Sequence, residues 1–311
     1  MTLKRADIAV VGMSGIFPGA RDIGQFIANV MAKESSVIQV PPDRWGVSAD
    51  IMVDNRAGTP LPDKARSRFA GLISQSVFNS SDFDFCGADM AGHGLDNDFF
   101  QALDPVHHLA LAAGIDLMAN ARLSKADRAR TGVVLAAIAL PTPGASRLTR
   151  DLFLAPNPAM PSREQAWGAG MLSAPASILA RLLGLAGGSF TLDAACASSL
   201  FSIKLACEQL LSGRVDAMVA GGVSRPQSLY TQVGFTQLQA LSPTGRCAPF
   251  DRDADGLVVG EGAGLVVLKR LDDALACQDT IHAVIKGWGV SNDIEGNLVA
   301  PASEGQVRAM T

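Results

Sequence analysis

Aromatic residues are scarce in this chain, 5% of 311 positions with a single tyrosine. Large rings therefore cannot fill much of its core. Charge is thin too: 18% of residues carry it, the formal net is −4, and no run of lysine and arginine occurs. That removes the electrostatic case for nucleic-acid binding. The five cysteines, Cys86, Cys196, Cys207, Cys247 and Cys277, are odd in number, widely spaced and without a C-x-x-C pair. This excludes a disulfide framework, makes a zinc site a poor expectation and suits a reducing compartment. No apolar stretch approaches the roughly 20 residues that span a bilayer. The opening Met-Thr-Leu-Lys-Arg-Ala-Asp lacks the apolar region of a signal peptide. The expectation is a cytoplasmic protein with no membrane span.

What is present is a wealth of small residues, 31 glycines among them, in a chain that is 48% hydrophobic. Such a composition suits closely packed helices and strands in a layered α/β protein, and the length is enough for a full core. Strand-like runs at 8–11, 131–140, 215–220, 264–268 and 281–285 alternate with helical patterns at 22–33, 104–117, 174–185, 272–276 and 304–310. That alternation predicts α/β with a largely buried sheet. Residues 40–70 read as an excursion with little regular structure, 78–100 as irregular with Phe83, Phe85, Phe99 and Phe100 as anchors, and 141–163 as loop. The Asp104-Pro105 pair is a strong helix start.

One stretch, 189–222, concentrates the chemistry. Ser189 to Leu192 is short and β-prone, Ala194-Ala195 is a small-residue turn, and Cys196 follows it. Leu200, Ile203, Cys207, Leu210 and Leu211 then recur at helical spacing, with Gly213 placed to end the helix. A thiol at a helix entrance is biased toward thiolate, the nucleophilic form. A buried structural cysteine is the bland alternative, and it is the expectation for Cys207.

Other motifs fail on spacing. After the strand at 8–11, Ser14 and Phe17 stand where a G-x-G-x-x-G dinucleotide fingerprint needs its second and third glycines. Asp251 to Gly256 imitates the first half of a calcium loop. Glu261, however, comes five residues after the glycine instead of six, and Gly262 takes the ligand position. His93, His107, His108 and His282 are not nominated as bases by any spacing, although His107 or His108 can face the core from the first turns of its helix.

Taken together, these residues carry a resemblance. Asp193-Ala194-Ala195-Cys196-Ala197-Ser198-Ser199-Leu200 resembles the active-site signature of β-ketoacyl synthases, the condensing enzymes of fatty-acid and polyketide synthesis. The likeness continues, in order, through Ile8–Ala20, Pro41–Trp45, Phe99–Pro105, Ala220–Val223, Ser242–Arg270, Ser291–Asp293 and Leu298–Arg308. It is greatest to the synthase modules of polyketide or polyunsaturated fatty-acid synthases. A thiolase or a CoA-primed ketosynthase shares the fold, but the glycine-rich and Phe-Asp segments fit carrier-protein enzymes better.

The resemblance implies a thiolase-like α/β fold of α-β-α-β-α layers, with only the first half and the start of the second present. The expected division is 1–275 for the cysteine-bearing half and 276–311 for the start of the other, the chain being a fragment that continues into a longer synthase. It implies a homodimer and an acyl carrier protein as partner, with substrates carried on phosphopantetheine and no cofactor of the enzyme's own. Cys196 is the implied nucleophile. It takes an acyl group from the carrier thioester, and its backbone amide helps stabilise the oxyanion, one such donor being worth roughly 3 kcal/mol. Condensation with malonyl carrier protein further needs two histidines, in His-Gly-Thr-Gly-Thr and Asn-Ile-Gly-His motifs, together with a glycine-phenylalanine loop. Neither histidine motif occurs in the 311 residues, and the resemblance assigns that loop to none of them. The alternative is a non-condensing dimerisation or carrier-docking partner of a synthase.

Overall fold

A computed structural model of the chain describes residues 7–54, 56, 58, 61–74, 103–121, 123–139, 143–154, 174–225, 229–296 and 301–311. In chain order the main elements are β1 (Ile8–Ile16), α1 (Ile23–Ala32), β2 (Val37–Gln39), β3 (Phe69–Gly71), α2 (Pro105–Asn120), β4 (Thr131–Ala136), α3 (Ala174–Leu183), β5 (Ser189–Leu192), α4 (Ser198–Leu211), β6 (Ala217–Ser224), α5 (Leu229–Gln237), β7 (Gly262–Arg270), α6 (Leu271–Ala276), β8 (Ala283–Ile285) and α7 (Ser303–Met310). Six strands form one mixed sheet in the order β5-β4-β6-β7-β1-β8. The β5-β4-β6 part is parallel, joined by α3 and α4 as crossovers, and β7, β1 and β8 complete it antiparallel. Strands β2 and β3 pair separately.

The strand period of two sorts side chains onto two faces. Val133 and Leu135 of β4, Ala217, Val219 and Val223 of β6, and Ala263, Leu265 and Val267 of β7 join the core beneath α2 and α3. Val134, Met218, Ala220 and Leu268 join a smaller core beneath α4, with Ala206, Cys207 and Leu210. In β1 the register slips between Val10 and Gly12. This bulge reverses the parity: Ala9 and Val11 share the α2 face before it, Ile16 after it. Ser14, also beyond the bulge, donates to the Ala113 carbonyl of α2 at 2.7 Å.

Local chemistry explains the helix ends. Asp22 accepts from Gln25 N to start α1, and Lys33 closes it in the left-handed region. Asp104 accepts from Val106 N at 3.0 Å, with Pro105 in the first turn of α2, as the sequence leads one to expect. Leu109, Ala113 and Leu117 are fully buried on α2.

Three expectations are corrected. The strand beginning at Ile8 does not stop before Gly12 but runs to Ile16, because β7 pairs along its whole length and the bulge absorbs the glycine. The strand expected over 215–220 is shifted to Ala217–Ser224, with Gly221 and Gly222 inside it. Gly221 has φ +145°, and a Cβ there would meet the Gly264 carbonyl oxygen at 2.0 Å, so glycine is required by the close approach of β6 and β7. Third, a helix at Pro143–Leu154 replaces part of the expected loop. The 40–70 excursion is broken by helical turns at Pro42–Trp45 and Ala49–Met52. Cys86, His93 and the phenylalanine anchors lie outside the described residues.

Candidate active site

Cys196 stands where β5 hands over to α4, beyond the carboxyl ends of the three parallel strands. Open α/β sheets place their sites at that edge. It sits in a single 3-10 turn, Ala195–Ala197, that leads directly into α4. In this turn Asp193 takes the Ala195 N–H, the Ala194 carbonyl takes the Ala197 N–H and the Ala195 carbonyl takes the Ser198 N–H. Cys196 is exposed, as are Cys247 and Cys277, whereas Cys207 is fully buried on α4, as its place on the apolar face requires.

The turn before the cysteine is unusual. Ala195 has φ +51°, a left-handed conformation that non-glycine residues rarely adopt. Hydrogen bonds hold it there. Asp193 Oδ1 accepts from Ala195 N and Asp193 Oδ2 from Ala139 N, both at 2.8 Å. The Ser198 hydroxyl accepts from Ala194 N at 2.8 Å and donates to the Ala195 carbonyl at 2.6 Å.

Helix α4 presents small residues to the sheet: Ser198, Ser202 and Ala206 are buried, so backbone approaches backbone. Ser202 Oγ donates to the Val134 carbonyl at 2.7 Å and accepts from Gly221 N at 2.9 Å, lashing the helix to β4 and β6. Gly213, φ +71°, follows the helix end as expected.

Behind the strand ends lies a buried charge cluster. Glu261, just before β7, pairs with Arg44, lies 3.8 Å from Arg225, and accepts from Ile73 N at 2.8 Å. Both the Arg225 and Glu261 side chains are fully buried. Burial pulls the Arg225 guanidinium down to about 10, against the opposing pull of Glu261. Burial likewise pushes the Asp104 carboxyl up, partly offset by its bond from Val106 and by nearby His107 and Arg225. His107 is buried with its Nδ1 3.3 Å from the Asp104 carbonyl oxygen, His108 is half-buried, and His282 is exposed and donates its N–H to Val10 O. None of these contacts links a histidine to Cys196.

The 242–255 segment is a loop clasped at its base. The Ser242 and Thr244 hydroxyls donate to Asp255 at 2.6 and 2.7 Å, which holds that carboxyl below the usual range. Phe250 protrudes from it in the left-handed region, φ +64°, fully exposed. A strand, β7, follows the Asp251–Gly256 run where a calcium loop would have a helix. Among the described residues no cluster of His, Cys, Asp and Glu is arranged to hold a metal ion, and no helix is long and apolar enough to cross a membrane.

The sequence singled out Cys196 but assigned no role to Asp193, Ser198 or Ser202. The available signal was local: an aspartate two residues before Ala195, and serines spaced four apart on the new helix.

Comparison with known proteins places this geometry. Residues 5–274 match the family model described as beta-ketoacyl synthase, N-terminal domain. The chain is 34% identical over 308 residues to one component of the phenolphthiocerol/phthiocerol polyketide synthase of Mycobacterium tuberculosis (strain CDC 1551 / Oshkosh), covering 98% of this chain and 16% of that one. Another component of the same synthase, from the same strain, is 32% identical over 315 residues, at 97% and 15%. The chain thus spans about a sixth of the length of the curated relatives it matches. Among solved structures, a PfaC keto synthase-chain length factor superposes with a TM-score of 0.81 at 32% identity, over 98% of this chain and 34% of that one. The ketosynthase from module 6 of the bacillaene synthase of Bacillus subtilis 168 gives 0.76 at 26% identity, over 98% and 47%. The fold is that of the thiolase-like ketosynthases, and by its family match and by the strand, turn and helix around Cys196 the chain belongs to the β-ketoacyl synthase family.

Proposed function

We propose that this chain forms the acyl-accepting part of a β-ketoacyl-[acyl carrier protein] synthase, with Cys196 as the nucleophile. The observation that carries the reading is an exposed thiol at the first turn of α4, held by a left-handed Ala195 within the family's signature. In the first half-reaction the Cys196 thiolate attacks the carbonyl carbon of an acyl thioester on phosphopantetheine. A tetrahedral oxyanion forms, and the Cys196 amide donates to it. Its collapse breaks the carbon–sulfur bond to the carrier, whose thiolate takes up a proton, and leaves the acyl group on Cys196.

In the second half-reaction a malonyl carrier protein loses carbon dioxide. The carbanion then forms a carbon–carbon bond to the acyl carbonyl and the Cys196 thiolate departs. In the family this step uses the two histidine motifs that these 311 residues do not contain. We therefore assign the chain the loading step, and the whole domain, with residues 1–275 as its first half and 276–311 opening its second, the condensation. On this reading the protein is a cytoplasmic homodimer that works with an acyl carrier protein in polyketide or fatty-acid synthesis.

The test is intact-mass measurement after incubation with an acylated carrier protein. An acyl adduct in the wild type that is absent from Cys196→Ala is expected. A wild type that takes no adduct while binding the carrier would instead indicate a non-condensing docking partner.

A further inference from the structure

We propose that Asp193 is a positioning residue for Cys196, a role that rests on the reading of Cys196 as the acyl acceptor. Strands β4 and β5 run parallel, and their last paired residues are Ala136 and Leu192. One more backbone bond follows, Ala137 N to the Leu192 carbonyl at 3.1 Å. Beyond it the ladder is continued by a side chain: the Asp193 carboxylate takes Ala139 N on one oxygen and Ala195 N on the other. A single carboxylate thus ties the exit of β4 to the residue that immediately precedes the thiol.

The tie matters because of the backbone it restrains. Ala195 occupies a left-handed conformation, which a residue bearing a Cβ leaves unless something holds it. All four main-chain polar groups of Ala194 and Ala195 are engaged. Ala194 N goes to Ser198 Oγ, the Ala194 carbonyl accepts from Ala197 N at 3.2 Å, Ala195 N goes to Asp193, and the Ala195 carbonyl accepts from Ser198. Asp193 alone among these partners reaches back to another strand. Its side chain is exposed and belongs to neither hydrophobic core. Removing it leaves two amides that water can satisfy, so the fold loses little while the turn loses its tether. The thiol and the Cys196 amide then move together relative to an incoming carbonyl, and misplacement of about 1 Å is enough to cost a hundredfold in rate.

The experiment compares wild type, Asp193→Ala and Asp193→Asn for single-turnover acyl loading from an acylated carrier protein, thermal melting, and hydrogen exchange of the 189–199 segment. The expected result for Asp193→Ala is a loading rate constant lower by about tenfold to a hundredfold. Half-saturation should change little, melting should be near wild type, and exchange should be faster in that segment alone. Asp193→Asn keeps one accepting oxygen and should recover part of the rate. Wild-type loading by Asp193→Ala, a loss that only tracks the folded fraction, or a rise in half-saturation at unchanged rate constant would each overturn the proposal. If the wild type takes no acyl group, the acyl-acceptor reading fails by itself. The tether is then judged by hydrogen exchange, where an unchanged 189–199 segment in Asp193→Ala refutes it.

Discussion

The two faces of the central sheet are built from the same strands and finished differently. One is covered by α2 and α3. There α2 buries residues around most of its circumference, Leu109, Leu111, Ala113 and Leu117 among them, and the covering core is the larger. The other face carries α4, which buries Ser198, Ser202, Ala206, Cys207 and Leu210, with Ile203 and Leu211 partly buried against the smaller core. Leu200 is 71% exposed and Phe190 of the edge strand 43%. The first face spends its apolar surface on stability. The second keeps a polar lashing through Ser202 and a tethered turn through Asp193, and leaves a cysteine accessible. The candidate thiol is on the α4 side.

Substitutions should break this comparison if it is wrong. Cys196→Ala should have the largest chemical effect, complete loss of the acyl adduct by intact mass, while its unfolding free energy in urea changes by no more than about 0.5 kcal/mol because the side chain is exposed. A large loss of stability would mean the cysteine is structural. Glu261→Gln probes the buried cluster that belongs to neither face. Removing the buried Glu261 charge that faces both Arg44 and Arg225 should cost about 3–5 kcal/mol in chemical denaturation.

Leu109→Ala on the closed face should cost about 2–5 kcal/mol, since a fully buried side chain leaves a cavity. Leu200→Ala on the open face should stay within about 0.5 kcal/mol. Equal costs would erase the distinction between the faces.

The smallest effect is expected at the Asp255 clasp. Donation from Ser242 and Thr244 lowers its folded pKa below the ordinary 3.8. The ionised clasp therefore contributes fully above that value and is lost as pH falls through the lower folded one. Wild type and Asp255→Asn should differ in urea midpoint at pH 6, and the difference should shrink as pH falls below 3.8. A difference that persists in acid would assign the clasp to something other than the carboxylate's charge.

Much of the fold and of the site is legible in the sequence. The α1 and α2 boundaries follow from Asp22 and Asp104-Pro105, because caps are local chemistry. The β5, turn, α4 order and the burial of Cys207 follow from the spacing of apolar residues, and the signature around Cys196 marks the candidate site. What escapes depends on partners far along the chain. Glycines that read as strand ends at 12 and 221 lie inside strands, since β7 pairs with both β1 and β6. The helix at Pro143–Leu154 is hidden by the prolines around it.

Asp193 shows the division most clearly. Its place in the motif is visible in the sequence, but its bond to Ala139, 54 residues away, is not. Local sequence determined most of the elements, the family and which thiol is the candidate nucleophile, because propensity, capping and motif act within a few residues. Tertiary structure alone decided which face of the sheet stays open, which carboxylate holds the turn, and which arginines Glu261 meets, because those follow from pairing between distant strands.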